Sequence, residues 1–281
     1  MNEYNKPTVG ISTATYFDRM SNADAIYDFA EHGVYFAEVF LNSFSEYEPM
    51  FIQKIYDAVK NTGVRILNVH PMSTQFEPQL CSTQITQYND SRAMFRKVLE
   101  AGKKLEAKQY VMHGLIDING LSRLFPIERF IRVIDELINT ALEYKIRLTL
   151  ENVSWCILNC PDIAKKLVSV LDEKLHYTLD IKQCLRSGYT PADYISVLGK
   201  QITNVHLCDY TIDNDGKYHW KLPGEGSFDY EAFFIQLRDI GYAGPLIIES
   251  YSNTYSETKD VFKSFQYITN IANKVFKMED E

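Results

Sequence analysis

The chain has 281 residues, of which 46% are hydrophobic and 23% are charged, and its formal net charge at pH 7 is −8. A chain of this length and composition can bury a large core, which excludes a disordered protein. Acids are spread along the sequence and there is no block of Lys or Arg, so a nucleic-acid partner is disfavoured. No apolar stretch approaches the roughly 20 residues of a membrane span, which argues against a membrane protein.

The first residues and the cysteines bear on the compartment. The segment MNEYNKPTVG carries neither the basic nor the apolar part of a signal peptide. The cysteines are odd in number, and the pair at 156 and 160 lacks the CxxC spacing of a zinc or redox site. They are Cys81, Cys156, Cys160, Cys184 and Cys208. We therefore expect reduced, buried thiols in a soluble cytoplasmic protein.

Short runs rich in β-branched and aromatic residues recur along the chain and predict eight strands. They lie at residues 8–13, 34–40, 64–70, 109–114, 147–152, 176–181, 202–208 and 245–250. Longer amphipathic segments between them predict helices at 22–33, 91–107, 127–145, 160–173, 229–242 and 259–277. In the first helix, Ala25, Ile26 and Phe29 share a face, and Gly33 suits the C-terminal end.

The alternation of strands and helices decides the fold class. It predicts right-handed crossovers in a parallel sheet. Eight such units in a chain of this size predict an α/β protein with a closed (β/α)₈ TIM barrel, as a single domain over residues 1–281. An open doubly wound sheet is the alternative, but STATYFDRMS after the first strand has no glycine for a phosphate loop. The long connection at 209–230 follows the seventh strand, and loops of that length are more often functional than idle.

Four ionisable residues stand at the ends of successive predicted strands. Glu151, Asp180, His206 and Glu249 belong to strands five, six, seven and eight. The C-terminal strand ends of a TIM barrel meet at one mouth, so these side chains can surround one point. A single acid in such a place is more often a helix cap or an ion-pair partner. Four at equivalent positions favour a shared role, because burying several acids together without a cation is costly.

Three carboxylates and one imidazole are hard oxygen and nitrogen ligands. Such a set suits one divalent metal ion, Mn²⁺, Zn²⁺, Co²⁺ or Mg²⁺, with open positions for a substrate. It lacks the thiolates of a closed structural zinc site. An open metal of this kind can polarise a carbonyl and hold two neighbouring oxygens.

The order of these residues carries a resemblance. Glu in TLEN, Asp in LDIKQ, His in HLCD, the PGEG segment and Glu in IIES together resemble the xylose isomerase-like TIM-barrel superfamily. That superfamily contains sugar and sugar-phosphate isomerases, epimerases and endonuclease IV. The resemblance implies that Glu151, Asp180, His206 and Glu249 are the metal ligands. It further implies that Glu151 and Glu249 are the acid/base pair on opposite faces of a sugar carbon.

The resemblance also implies residues that contact the substrate. His70 in NVHP and His113 in VMHG match positions that line the pocket. Glu38, at the end of the second predicted strand, matches an acid that orients a group behind the metal ligands or a substrate hydroxyl. Gln183 can hydrogen-bond a substrate hydroxyl, and Lys221 stands close to PGEG, where many relatives carry an arginine for a hydroxyl or phosphate.

Departures from the family weigh against the nuclease. Gln183 stands where the epimerases and endonuclease IV usually place a histidine, and glutamine is a poor zinc ligand. Tyr218 and Trp220 stand where endonuclease IV carries an Asp-x-His pair, and His219 is shifted in register. Losing these ligands removes much of a trinuclear zinc cluster, so phosphodiester cleavage is put in doubt.

The sequence therefore predicts a metal-dependent sugar or sugar-phosphate isomerase or epimerase that abstracts a proton next to a carbonyl and passes through an enediolate. A lyase that dehydrates a keto-polyol or dehydroshikimate begins with the same proton abstraction and stays open. An endonuclease IV-like enzyme and a barrel that binds a ligand without turnover are further alternatives. The expected partner is a small sugar, with neither nucleic acid nor membrane, and a homo-oligomer is left open.

Overall fold

The computed structural model describes residues 6–117 and 127–276, and its strands close into a barrel. The barrel strands are β1 (Thr8–Ser12), β2 (Phe36–Leu41), β3 (Arg65–Pro71), β4 (Gln109–Met112), β5 (Arg147–Glu151), β6 (His176–Asp180), β7 (Ile202–Leu207) and β10 (Pro245–Ile248). All neighbours pair in parallel, and β10 closes the ring between β7 and β1. The single-domain (β/α)₈ TIM barrel is confirmed, and each predicted strand ends within two residues of its prediction.

Helices cover the outside of this barrel. They are α1 (Asn22–Glu31), α2 (Pro49–Thr62), α3 (Ile85–Lys104), α4 (Ile127–Glu143), α5 (Pro161–Leu171), α6 (Ile181–Arg186), α7 (Pro191–Leu198), α8 (Tyr230–Asp239) and α9 (Thr258–Val275). Helices α2, α6 and α7 were not among the predicted segments, and α3 begins at Ile85 rather than at 91. The predicted Lys277 end of the last helix lies outside the described residues.

The ends of α1 illustrate how the sequence sets element boundaries. Ser21 precedes the helix in an extended conformation, and its hydroxyl accepts a hydrogen bond from the backbone N–H of Asp24. Such a cap satisfies one of the free N–H groups of the first turn. Gly33 follows the helix with a φ of 76°, a left-handed conformation that favours glycine. The buried Ala25 and Phe29 turn the helix toward the core, as predicted.

The inside of the barrel is polar directly below its mouth. Asn68 on β3 donates to Asn204 on β7 at 3.0 Å, and Gln109 on β4 donates to Asn68 at 3.1 Å. Thr149 on β5 and Thr178 on β6 lie 2.8 Å apart through their hydroxyls. TIM barrels usually fill this layer with branched apolar residues. Here a hydrogen-bonded layer supports the charged residues above it without leaving these amides unpaired.

The long connection after β7 contains a hairpin that periodicity did not reveal. Strands β8 (Asp209–Ile212) and β9 (Tyr218–Lys221) pair in antiparallel fashion as a separate two-stranded sheet. The turn between them includes Gly216 with a φ of 78°. The hairpin then leads into the PGEG segment, so part of the predicted loop has regular structure.

The remaining sequence predictions about cysteines and membranes can be compared with this fold. All five cysteines are free, and each is buried except Cys160, which is half-buried. Burial raises the pKa of the Cys81 thiol to about 12, which keeps it protonated. No helix within residues 6–117 and 127–276 has both the length and the apolar character that a membrane crossing requires.

Candidate functional site

The barrel brings the four strand-end residues together at one mouth. Glu151 and Asp180 are the last residues of β5 and β6, His206 is the penultimate residue of β7, and Glu249 directly follows β10. Glu151, Asp180 and His206 are at most 1% exposed. The side chain of Glu249 is 13% exposed. The four groups are therefore buried at the bottom of the mouth, where charge is poorly solvated.

His206 lies at the centre of this group. Its Nδ1 is 3.2 Å from Glu249 Oε2, 3.7 Å from Glu151 Oε1 and 3.9 Å from Asp180 Oδ2. Each of the four side chains also has one buried atom that finds no hydrogen-bond partner among the described residues. These atoms are Glu151 Oε2, Asp180 Oδ2, His206 Nδ1 and Glu249 Oε2. Buried polar atoms are rarely left unpaired, and three acids with one imidazole facing a common space fit a divalent cation.

Glu38 lies below this group and bonds to both central histidines. Its Oε2 is 3.1 Å from His206 Nε2, and its Oε1 is 3.3 Å from His70 Nδ1. The expectation that Glu38 ends the second strand was wrong, because β2 continues to Leu41 and a register shift falls at Ala37 and Glu38. Because the Glu38 carboxylate holds Nε2 of His206, the ring is fixed with Nδ1 directed at the other three acids. Glu38 is fully buried, so its contact with a substrate stays a prediction.

His70 and His113 extend the site toward the mouth. His70 Nε2 lies 2.8 Å from His113 Nε2 and 3.8 Å from Glu151 Oε2. His113 Nε2 is 3.0 Å from the same Glu151 oxygen, and its Nδ1 faces Ser73 Oγ at 2.5 Å. His70, His113 and Glu151 thus form a second group whose ligand atoms lie within 4.8 Å of one another. This second group could also hold an ion.

Burial and charge act in opposite directions on the ionisation of the site. Burial opposes the charged form of Glu151, but attraction and hydrogen bonding from His113 and His206 hold its pKa well below the usual value. For Glu249, His206 and His70 overcome burial in the same way and lower the pKa. Burial alone would lower the pKa of His70, but hydrogen bonding and attraction from Glu249 and Glu38 raise it to about 10. Both glutamates are therefore carboxylates at neutral pH.

Asp180 behaves differently from the two glutamates. Burial raises its pKa to about 6, and the nearby Glu151 adds to this shift while Lys182 opposes it. Its Oδ1 accepts the backbone N–H of Gln183 at 2.7 Å and so caps α6, which leaves Oδ2 directed at His206. Asn152 accepts the backbone N–H of Asp180 at 2.7 Å. Asn152, in the TLEN segment, thus joins the ends of β5 and β6.

Lys182 is a member of the site that the sequence analysis did not single out. It is 3% exposed, and its Nζ lies 3.7 Å from Asp180 Oδ2 and 4.0 Å from Glu249 Oε1. The ammonium also stands 4.5 Å above the ring of Tyr251. Its signal in the sequence was a charged residue within the hydrophobic segment that follows β6, two positions after the strand-end Asp180. Lys182 supplies a buried positive charge beside two of the acids.

A cavity of about 530 Å³, here called the inner pocket, opens above these residues. Its charged and polar lining includes His70, His113, Glu151, Lys182, Gln183 and Glu249. Gln183 accepts the backbone N–H of Ser154 at 3.2 Å through its side-chain oxygen. The residues that were predicted to act on or bind a substrate and that share this cavity are therefore His70, His113, Glu151, Gln183 and Glu249. A pocket of this size suits a small polar molecule.

The PGEG segment is organised by one buried carboxylate. Asp209 Oδ1 accepts the backbone N–H groups of Tyr210 at 2.8 Å and Phe228 at 3.0 Å. Its Oδ2 accepts those of Gly224 at 2.9 Å and Gly226 at 3.2 Å. A Cβ on Gly226 would lie 2.3 Å from Asp209 Oδ1, so only glycine fits there. The acid of HLCD therefore shapes the loop beside the mouth.

We expect Asp209→Asn to lower the free energy of unfolding by roughly 2–4 kcal/mol. The amide nitrogen of asparagine is a donor, so it cannot accept the backbone N–H groups that one carboxylate oxygen of Asp209 accepts. Urea denaturation of both proteins measures the loss. Asp213→Asn is a matched control, since Asp213 accepts similar backbone bonds but lies exposed at the hairpin tip. Equal stability of the Asp209 variant and the parent would contradict this role.

Sequence comparison places these residues in a family. The sequence model described as xylose isomerase-like TIM barrel matches residues 26–271. The chain belongs to this family. Its resemblance to the superfamily, inferred from strands five to eight, is confirmed.

A curated relative and two solved structures are similar to this chain. Inosose dehydratase of Clostridium botulinum is 32% identical over 100 residues, which cover 30% of this chain and 34% of that protein. The two matching curated relatives are covered over 62% and 34% of their own length. A D-tagatose 3-epimerase-like protein superposes with a TM-score of 0.76 at 20% identity, covering 95% of this chain and 97% of its own. IolI protein with a bound zinc atom superposes with a TM-score of 0.77 at 18% sequence identity. The match covers 96% of this chain and 99% of that protein.

Lys221, near the family's PGEG segment, lies apart from the inner pocket. It ends β9 and lines a second cavity together with Trp220. His219 points to the exposed side of the hairpin, where its Nε2 is 2.7 Å from Asp213 Oδ2. The hairpin thus brings no histidine from this segment to the cluster around His206. The substrate contact of Lys221 stays a prediction.

Proposed function

We propose that this protein is a metal-dependent sugar or sugar-phosphate isomerase or epimerase. The observation that carries this proposal is the convergence of Glu151, Asp180 and Glu249 within 3.9 Å of His206 Nδ1 in a buried mouth. A structural relative supports it, because the protein that superposes with a TM-score of 0.76 is named as D-tagatose 3-epimerase-like. The pocket above the acids has room for a sugar.

Glu151, Asp180, His206 and Glu249 would hold one divalent ion, Mn²⁺, Zn²⁺, Co²⁺ or Mg²⁺. Their donor set and their unpaired atoms fit such an ion, and the zinc atom in IolI protein supports it. A bound ion supplies Lewis acidity toward a carbonyl and positive charge among the acids. Glu38 would keep His206 directed at the ion through its hydrogen bond to Nε2.

The two glutamates would move the proton. Both line the inner pocket, and both have lowered pKa values, so each can accept a proton at neutral pH. One carboxylate would remove the proton next to the carbonyl, which yields an enediolate, and the other, after taking up a proton from water, would return a proton on the opposite face. His70, His113 and Gln183 would bind substrate hydroxyls in the same cavity.

A dehydratase is the second candidate, and the match to inosose dehydratase favours it. Dehydration of a cyclic keto-polyol begins with the same removal of a proton beside a carbonyl. It differs in that a neighbouring hydroxyl then leaves as water. The same glutamates could serve both reactions, so the products distinguish them.

The deciding experiment is a product screen with metal-free protein reloaded with Mn²⁺, Zn²⁺, Co²⁺ or Mg²⁺. Ketoses, their phosphates, inososes and dehydroshikimate are each incubated in heavy water and analysed by mass spectrometry and NMR. An isomerase or epimerase gives a product of unchanged composition with one deuterium on carbon. Loss of one water identifies the lyase. No turnover and no exchange with any sugar would overturn the enzyme proposal.

The same preparation tests the nuclease. Zinc-loaded protein is incubated with abasic-site DNA while elemental analysis counts the ions per chain. We expect no nicking and fewer than three ions per chain. Efficient nicking would replace the sugar enzyme by an endonuclease.

A further inference from the structure

The ammonium of Lys182 is a buried charge in the wall of the inner pocket. Lys182 lies in the first turn of α6, directly after β6, and it is 3% exposed. Glu249 and Tyr251, which flank its Nζ, line the same pocket as Lys182 itself. The proposed proton transfer between Glu151 and Glu249 does not use this group. A molecule bound over the acids would nevertheless lie against it.

The donors of this ammonium are not used by the described part of the chain. The carboxylate oxygens within reach are Asp180 Oδ2 at 3.7 Å and Glu249 Oε1 at 4.0 Å, and both are too distant for a hydrogen bond. A lysine that only neutralised an acid would donate to it, as Lys274 does to Glu231 at 2.6 Å. Buried donors are rarely left unpaired, and an ammonium has three of them. The arrangement therefore fits an acceptor that a ligand brings into the pocket.

The position of the ammonium is held before any ligand binds. Its Nζ lies 4.5 Å from the centre of the Tyr251 ring, an arrangement in which the ring face attracts a cation. The hydroxyl of Tyr251 accepts a hydrogen bond from Arg186 Nη1 at 3.0 Å, which ties that ring to the end of α6. The acids attract Nζ from their own side. A charged donor fixed in this way needs little reorganisation when negative charge develops next to it.

We propose that Lys182 is a further catalytic residue, which donates a hydrogen bond to the substrate oxygen on which negative charge develops. This proposal rests on the proposed function. It holds for the isomerase and for the dehydratase alike, because removal of a proton next to a carbonyl places charge on the same oxygen in both. That oxygen lies beside Glu249 and Tyr251, within reach of Nζ, while the carbon that loses its proton lies over the glutamates.

Binding is tested first without turnover. Calorimetry measures threonohydroxamate and the neutral polyol threitol on the Mn²⁺-loaded parent, Lys182→Met and Lys217→Met. The hydroxamate is planar, ionises and carries neighbouring oxygens as an enediolate does, whereas threitol has no group that becomes negative. Lys217 is the matched control, because it is exposed on the hairpin and outside the inner pocket. We expect Lys182→Met alone to weaken the hydroxamate at least ~10-fold, and threitol less than ~3-fold, because a hydrogen bond to a charged group is lost.

Metal content separates a contact with the substrate from support of the acids. Methionine removes a positive charge 3.7 Å from Asp180 Oδ2, so a divalent ion should bind at least as tightly as in the parent. Elemental analysis measures the ion, and thermal denaturation checks the fold. Lys182→Gln, which is neutral but polar, takes the place of Lys182→Met in every measurement if the methionine variant does not fold. Loss of the ion from a folded variant would show that Lys182 supports the acids, and would overturn the proposal.

Turnover completes the test on the substrate that the product screen identifies. Lys182→Met should lower kcat at least ~100-fold and change KM little, as expected when one donor to a developing oxyanion is lost. Lys217→Met should match the parent.

The outcomes separate this proposal from the proposed function. An unchanged kcat or an unchanged hydroxamate affinity in Lys182→Met overturns the role of Lys182 and leaves the sugar enzyme. Selective loss of hydroxamate binding in a protein that turns over no sugar leaves the contact of Lys182 and removes the sugar enzyme. Absence of hydroxamate binding to the metal-loaded parent overturns the contact.

Discussion

Replacing Glu249 or Glu151 with glutamine is expected to abolish turnover, with kcat lowered by at least roughly 10³-fold. Glutamine keeps the shape of the side chain but cannot accept a proton, and both glutamates line the inner pocket. Both also have a lowered pKa, so the native groups are carboxylates at neutral pH. The measurement is product formation on the substrate that the screen identifies.

The fold should survive both replacements, since these side chains lie at the mouth and outside the apolar core. Circular dichroism and thermal denaturation check this. Glu225→Gln is the matched control, because Glu225 is exposed in the PGEG segment and its side chain contacts no described partner through a hydrogen bond or an ion pair. It should retain full activity.

Hydrogen exchange separates the roles of the two glutamates. If each carboxylate serves one face of the substrate carbon, each single variant still has one working base. With one substrate epimer, and with saturating metal whose binding is checked by elemental analysis because both glutamates are also proposed ligands, the Glu249 or the Glu151 variant should then exchange the carbon-bound hydrogen with heavy water without completing the reaction. The double variant E151Q/E249Q should do neither. Normal turnover in either single variant would contradict the acid/base assignment.

The sequence located the framework of the site because barrel strands have strong local signals. The runs ending in Glu151 and Asp180 are short, with Leu, Thr or Tyr at their inner positions, and the parallel topology then requires their ends to meet. The position of Glu38 was less well predicted. Its strand continues through Phe40 and Leu41, and an irregularity in register is invisible to a two-residue period.

The features that sequence analysis missed depend on contacts between distant residues. Lys182 reads as an ordinary surface lysine until the barrel places it between Asp180 and Glu249. Asp209 reads as a loop acid until the chain returns and four N–H groups converge on it. The separation of Lys221 from the inner pocket follows from the hairpin, whose short strands lack a distinct pattern. None of these is a property of a local window.

Removing His206 or Asp180 is expected to remove the metal. His206→Ala and Asp180→Asn should each lower the affinity for the divalent ion by at least ~100-fold, more than the 10–100-fold typical of residues behind the ligands. His206 is the residue on which the three acids converge, and Asp180 Oδ2 accepts no hydrogen bond from a described residue. Elemental analysis after loading and desalting measures the bound ion.

His219→Ala is the matched control for His206→Ala. The side chain of His219 pairs with Asp213 on the exposed hairpin and lies away from the group around His206. This variant should keep the metal content of the parent. Glu38→Gln should weaken binding less than His206→Ala, because Glu38 acts on the ion only by orienting His206. Stoichiometric metal in both His206→Ala and Asp180→Asn would contradict the ligand set.

Acid should have the same effect as these replacements. Attraction from Glu249 and Glu38 raises the pKa of His206 well above its usual value despite burial, so the metal-free histidine carries a proton that an ion must displace. Asp180 has a pKa of about 6 and binds a proton below that pH. Because both groups bind the ion only when deprotonated, affinity should rise with pH and fall steeply as the pH drops through about 6. Titrations of Zn²⁺ or Mn²⁺ between acid and neutral pH measure this, and an affinity independent of pH would exclude these two residues as ligands.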